Sequence, residues 1–285
     1  MNAFRSLNIE SESVCMVLVV GRVLHTLPEG KDVWGVTSLD SLLYVLRNKA
    51  SYEISVYDTI SYRLQRRLNV PGLEATKDMV SCAYNYCLYI SGHQCIHRMA
   101  LPHAAVNKWQ VNEEVDGLSV TDTHSVLVTC PNSRQVKEFT TFGRLLREIK
   151  LAQDVMSPNH AIQLSSGQFL VCHGYNDPVH RVCLIGADGQ VVKAYGGPPG
   201  SGNRQVNTPV HMAVDSNGVV YVADLGNRRV FLLSPELTYV RDVASREQLK
   251  WDPMRLFLDT DKGRLYVAEN EWKDGENGQA TVVDV

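Results

Sequence analysis

Six times along this chain an apolar triplet with a bulky central residue recurs: Leu43-Tyr44-Val45, Leu88-Tyr89-Ile90, Val126-Leu127-Val128, Phe169-Leu170-Val171, Val220-Tyr221-Val222 and Leu265-Tyr266-Val267. The central residues are 45, 38, 43, 51 and 45 positions apart. A period of about 40 to 50 residues means that one supersecondary unit is repeated, and that each unit buries its faces only against its neighbours. The clearest unit runs from Thr208 to Pro235. Apolar residues alternate through Val210, Met212 and Val214; Ser216-Asn217-Gly218 makes a turn; Val219 to Ala223 forms a second run; Asp224-Leu225-Gly226-Asn227 breaks it; and Arg228 to Ser234 forms a third. Alternation between turn signals is the pattern of short antiparallel strands.

Most units add a fourth run after the third, as in Tyr62 to Val70, Gly143 to Leu151, Gln190 to Gly196 and Leu237 to Val243. Four strands per unit and six units predict an all-β, six-bladed β-propeller of four-stranded antiparallel blades. The blades fall near residues 30–72, 73–112, 113–152, 156–197, 206–245 and 251–285 of one domain spanning 14–285. The last blade reaches only a third strand, Thr281 to Val285, before the chain stops. Residues 21–27, Gly-Arg-Val-Leu-His-Thr-Leu, match the fourth-strand stretches Gly143 to Ile149 and Gly189 to Tyr195 in pattern. They are therefore expected to complete the C-terminal blade, closing the ring and covering its open edge.

The fifth unit carries Pro209, Met212-Ala213-Val214-Asp215, Gly218, Val220-Tyr221-Val222-Ala223-Asp224, Asn227-Arg228 and Val230, and the sixth a partial copy in Asp252-Pro253, Gly263, Leu265 to Ala268 and Asn270. In this order the chain resembles the NHL-repeat propellers, such as the NHL domains of tripartite-motif proteins, with His211 where that family usually has glycine. No RING, B-box or coiled-coil region is legible ahead of the first blade. The resemblance implies the fold; the family itself spans ligases, RNA-binding regulators and scaffolds.

Composition sets further bounds. A formal net charge of −3 argues against bulk attraction to nucleic acid or acidic membranes. Residues 1–13 read as a polar tail, and Val14 to Val20, too short to span a bilayer, as a strand or cover beside the closing blade. Seven cysteines without CxxC spacing fit a reducing compartment, so a cytoplasmic monomer off the membrane is expected.

Chemistry in such a fold concentrates at the channel mouth, where the first strand of each blade lines the axis. Aligned on turns and triplets, His211 shares its level with Gly35, Met79, Gly117, His160 and Arg255, while Trp34, Asp78, Asp116, Asn159, Val210 and Met254 sit one residue earlier. Trp34, Asp78, Asp116, Asn159, His160, His211 and Arg255 are thus candidate ligands for a small polar molecule, and His160 with His211 for a metal. The two histidines resemble part of the zinc set of the six-bladed amidating lyase of peptide α-hydroxyglycines. Asp78, Asp116 and Asn159 loosely resemble the calcium set of six-bladed lactonases. Zinc or calcium is the cofactor these resemblances imply, with a metal-dependent lyase or hydrolase as the activity.

The loops between blades, and those joining second and third strands, share the other candidate surface. They carry eleven Lys or Arg against seventeen Asp or Glu, which disfavours a general RNA face. Arg134, Arg204, Arg228 and Arg229, with Tyr175 nearby, form a local basic arc, and Trp272 adds an aromatic anchor. The expected function is a non-enzymatic scaffold that holds a protein or peptide partner on this face. RNA binding through the arc is the first alternative and channel metal chemistry the second.

Overall fold

The marker triplets become the second strands of their blades because that strand is buried on both faces. Leu43 and Val45 point into a core cluster shared with the sixth blade, while Tyr44 and Leu46 point into one shared with the second. Alternation alone sends neighbouring residues to opposite faces. A strand sandwiched between two neighbours must therefore be apolar throughout, whereas the outermost strand is mostly exposed, as in Leu64–Asn69. Six apolar clusters of this kind form among the described residues, each at the junction of adjacent blades.

In this computed structural model, which describes residues 20–28, 30, 32–48, 52–101, 103–271 and 277–285, the strands form six four-stranded antiparallel sheets in a ring. Blade 1 is Asp32–Leu39, Leu42–Asn48, Tyr52–Asp58 and Leu64–Asn69. Blade 2 is Met79–Cys82, Cys87–Gly92, Cys95–Ala100 and Ala105–Gln110. Blade 3 is Leu118–Val120, Val126–Cys130, Gln135–Phe139 and Leu145–Lys150. Blade 4 is Pro158–Gln163, Phe169–His173, His180–Ile185 and Val191–Gly197. Blade 5 is Pro209–Val214, Val220–Asp224, Arg229–Leu233 and Tyr239–Ala244. Blade 6 is Asp252–Asp259, Arg264–Asn270 and Gly278–Asp284, completed by Arg22–Thr26.

The closing strand pairs antiparallel with Gly278–Asp284, from Arg22 opposite Asp284 to Thr26 opposite Thr281. Its flanks clip two blades together. The Gly21 amide donates to the Val243 carbonyl of blade 5 at 2.8 Å, and the Leu27 amide to Ala280 of blade 6 at 2.9 Å. Leu27 is fully buried. The expected tail at 1–13 and cover at 14–19 lie outside the described residues, as does Trp272. Among the described residues no helix is long and apolar enough to cross a membrane, and six cysteines are free and buried in or beside strands.

Candidate functional site

The pairing register fixes which side chains meet at the axis. Tyr44, Tyr89, Leu127, Leu170, Tyr221 and Tyr266 stand opposite Thr37, Val80, Ser119, Ile162, Ala213 and Phe257. Two residues before these partners lie Gly35, Asp78, Gly117, His160, His211 and Arg255, which form the axial ring. The alignment that put Met79 in this ring is therefore corrected to Asp78. The hairpin between the first two strands of blade 2 turns through four residues, Ala83 to Tyr86, against three inside the last backbone bond of the corresponding turns in blades 3, 4 and 5. A fixed offset from the triplet then lands one residue late, and one residue is a change of face. In blades 1, 4, 5 and 6 a register shift just ahead of the ring residue adds to the local variation.

The ring is a plug of interlocked side chains. Asp78, His160, His211 and Arg255 are 1%, 2%, 6% and 4% exposed. The His160 and His211 rings stack at 3.7 Å between centroids. Gly117 makes room for them, since a Cβ there would lie 2.5 Å from the Asn159 carbonyl oxygen and 2.8 Å from His160 Cδ2. Asp78 Oδ2 accepts the Leu118 amide of blade 3 at 2.8 Å and faces His211 Nε2 of blade 5 at 3.4 Å. Arg255 reaches from blade 6 to the Lys77 carbonyl at 2.9 Å and to Asp116 at 3.1 Å, with its Nε 3.4 Å from Asp78 Oδ1. Asn159 Nδ2 donates to the Pro209 carbonyl at 2.9 Å, tying blade 4 to blade 5. Trp34 packs against the apolar cluster between blades 1 and 2 and against the one between blades 5 and 6.

Backbone donors set the histidine tautomers. The Met212 amide donates to His160 Nδ1 and the Leu256 amide to His211 Nδ1, both at 3.3 Å. A backbone N–H only donates, so each Nδ1 carries a lone pair and each neutral ring carries its proton on Nε2. From there His160 donates to the Leu118 carbonyl at 3.1 Å, and His211 points its N–H at Asp78. Donor atoms of Asp78, His160 and His211 do lie within 4.8 Å of one another, close enough for a shared ion. Coordination through Nε2 would require moving each proton to Nδ1, where it would face another N–H. The donor set in this arrangement does not fit zinc, which binds an unprotonated imidazole nitrogen with the other nitrogen donating.

Electrostatics follow from burial. Burial lowers the pKa of both His160 and His211, and for His160 the neighbouring His211 adds to the effect; for His211 burial outweighs the raising influence of Asp78. At Asp78 burial pushes upward but is overcome by His211 and Arg255, leaving the carboxyl well below the usual range. Burial raises Asp116 despite Arg255. The result at neutral pH is two neutral imidazoles and a carboxylate neutralised by a guanidinium, which is a stable polar lock.

The basic arc expected on the loop face separates into individual roles. Arg229 turns inward, pairing with Asp224 at 2.8 Å, donating to the Gln205 carbonyl and lying over the Phe231 ring. Arg134 donates to the Gln153 carbonyl at 3.2 Å. Arg228, held at φ 48°, pairs with Asp252 at 3.1 Å, and Arg204 is exposed. Tyr175 and Arg228 do come together, in a cleft of about 640 Å³ where loops of blades 4, 5 and 6 meet. Its walls also hold Asn176, Asn207, Arg246, Lys250, Trp251, Asp252 and Glu271. Arg246, Lys250 and Trp251 sit in the loop entering blade 6. Arg246 and Lys250 are among the eleven loop cations legible in the sequence, but no spacing signal there links them or Trp251 to Tyr175.

Fold and axis together define a six-bladed β-propeller whose central mouth is filled by an inter-blade hydrogen-bond network. No protein-family model matches the chain, and no curated protein matches it. Among solved structures it is similar to virginiamycin B lyase from Staphylococcus aureus, with 9% identity and a TM-score of 0.60 over 89% of this chain and 98% of that one. It is also similar to Kuenenia stuttgartiensis hydrazine synthase, at 13% identity and a TM-score of 0.64 over 92% and 97% of the two chains. A Bacteroides thetaiotaomicron protein of unknown function gives 13% identity and a TM-score of 0.66, over 92% of this chain and 72% of that one. At these identities the likeness is one of fold.

Proposed function

We propose that this chain is a non-enzymatic interaction scaffold that holds a protein or peptide partner on its loop face. The cleft beside Tyr175 and Arg228 is the observation that carries the reading. It combines an aromatic wall, side-chain amides and charges of both signs, the composition of contact patches that bind peptides. Support also comes from the axis, where the polar groups that catalysis would need already serve to join blades. The test places a photocrosslinking phenylalanine analogue at position 175 and, as control, at Gln65 on the outermost strand of blade 1. Crosslinked polypeptides from position 175 and none from position 65 are expected. Crosslinks to RNA alone would favour the RNA reading, and equal crosslinking from both positions would remove the face assignment.

The second reading, a metal-dependent lyase or hydrolase, is favoured by the proximity of Asp78, His160 and His211 and opposed by their tautomers. Elemental analysis of chelator-free protein beside a His160→Ala/His211→Ala variant decides it. The scaffold reading expects no stoichiometric zinc or calcium in either protein. Metal bound one-to-one in the wild type and lost in the variant would reverse the order of the two readings.

A further inference from the structure

The seam where the ring closes holds three buried hydroxyl oxygens without a hydrogen-bond partner, grouped around one guanidinium. Thr59 and Tyr62 come from the turn between the third and fourth strands of blade 1, and Tyr266 from the second strand of blade 6. Thr59 and Tyr266 are fully buried, and Thr59 Oγ1, Tyr62 OH and Tyr266 OH are all closed off from solvent and unpartnered. Arg264 lies two residues before Tyr266 on one strand, so both side chains stand on the face toward blade 1, where Tyr62 packs against the same apolar cluster. Arg264 Nη1 donates to the Thr59 carbonyl at 2.6 Å, and the guanidinium carbon lies 5.7 Å from the centre of the Tyr62 ring. The His25 ring of the closing strand stacks on Tyr62 at 4.5 Å, so closing strand, blade 6 and blade 1 meet at this point.

Three unpaired hydroxyls weaken a seam unless something accepts from them. Burial raises the pKa of Tyr62, and burial with Tyr62 alongside pushes Tyr266 up to about 12, so both phenols keep their protons and can donate. Among the described residues Arg264 pairs with no carboxylate. Its cross-strand neighbours are Asp259 and Asp284. Asp259 is taken by Lys262 at 2.7 Å and Ser38 at 3.0 Å, and Asp284 lies 3.7 Å from Arg22. We propose that this seam binds a small inorganic anion of chloride size, held by Arg264 and the hydroxyls of Thr59, Tyr62 and Tyr266, and that the anion fastens the closure of the ring. A water would satisfy the hydroxyls but leave the guanidinium without a counter-charge. Because none of the three oxygens is open to solvent, a monatomic ion fits where a phosphate would not. Tyr62 also lines a cleft of about 330 Å³ with Tyr57 and Leu64, which gives an ion its way in.

The test follows melting of the full chain in sodium gluconate, sodium chloride and sodium bromide at one fixed ionic strength. Chloride and bromide are expected to raise the melting temperature saturably, by about 2 °C or more over gluconate. That rise should vanish in Arg264→Gln and shrink in Tyr266→Phe and Thr59→Val, and crystals grown in bromide should show an anomalous scattering peak beside Arg264. Equal melting of the wild type in all three salts would overturn the site, as would a halide effect that never saturates and persists in Arg264→Gln. Tyr266→Phe melting above the wild type in every salt would also overturn it, since the change then removes only an unpaired hydroxyl. An equal loss in Tyr266→Phe with and without halide would assign the space to an ordered water instead. The result is independent of the scaffold reading, whose cleft lies on the opposite face.

Discussion

At the scale of the residue, the axial ring shows how packing converts reactive side chains into structural ones. His160 and His211 are held neutral by burial and by amides that can only donate, so their remaining protons bridge to the opposite side of the ring. The space they occupy depends on Gly117. Substituting Gly117→Ala is expected to destabilise the protein by about 1 to 3 kcal/mol through overpacking, measured by urea denaturation. A second residue-scale expectation concerns pH. Burial, aided by Arg181, holds the fully buried His173 at a pKa of about 4. Unfolded histidine binds a proton near pH 6.5 while the folded one does not, so the stability due to His173 is complete above that pH and is lost as pH falls toward 4. In His173→Gln, whose amide oxygen can still accept from Arg181 Nε, the fall in stability between pH 6.5 and 4 should be shallower by about 1.4 kcal/mol per pH unit. The histidines themselves were legible in the sequence as a pair at one level. Asp78 was legible with them as a channel-mouth candidate, but its place in the ring itself was not, because the hairpin of blade 2 displaces its register by one residue and put Met79 there instead.

At the scale of the element, the closing strand carries the largest consequence. Arg22–Thr26 covers the edge of Gly278–Asp284, and Leu27 fills the junction between blades 6 and 1. A chain beginning at residue 29 exposes a ladder edge and empties that junction. It should melt far below the full chain or fail to stay soluble, as read by circular dichroism and light scattering, and equal melting of the two would remove the closure argument. The strand's role was legible because its pattern repeats that of the outermost strands of other blades. Element ends were less so. The third strand of blade 6, expected over Thr281 to Val285, begins at Gly278, where pairing with Asn270 continues past the apolar run. Gln279 and Thr281 there contact the buried Glu269 carboxylate, a tertiary partner that compensates for polarity the pattern treats as a loop.

At the scale of the whole molecule, ring closure and face chemistry divide the labour. The interior is spent on holding six blades together, and the proposed scaffold role therefore assigns recognition to loops on a rigid frame. Tyr175→Ala in the loop-face cleft should accordingly alter binding while leaving melting unchanged, whereas ring substitutions such as His160→Ala/His211→Ala should lower melting. The sequence by itself determined the six blades and their closure, because alternation, turns and a repeat near 45 residues are local signals that survive without knowledge of neighbours. Tertiary structure alone decided the lock at the axis and the cleft on the face. Partners such as Lys77 and Arg255, or Tyr175 and Arg246, come from different blades, and hairpin length, bulges and loop courses, rather than spacing along the chain, set whether they meet.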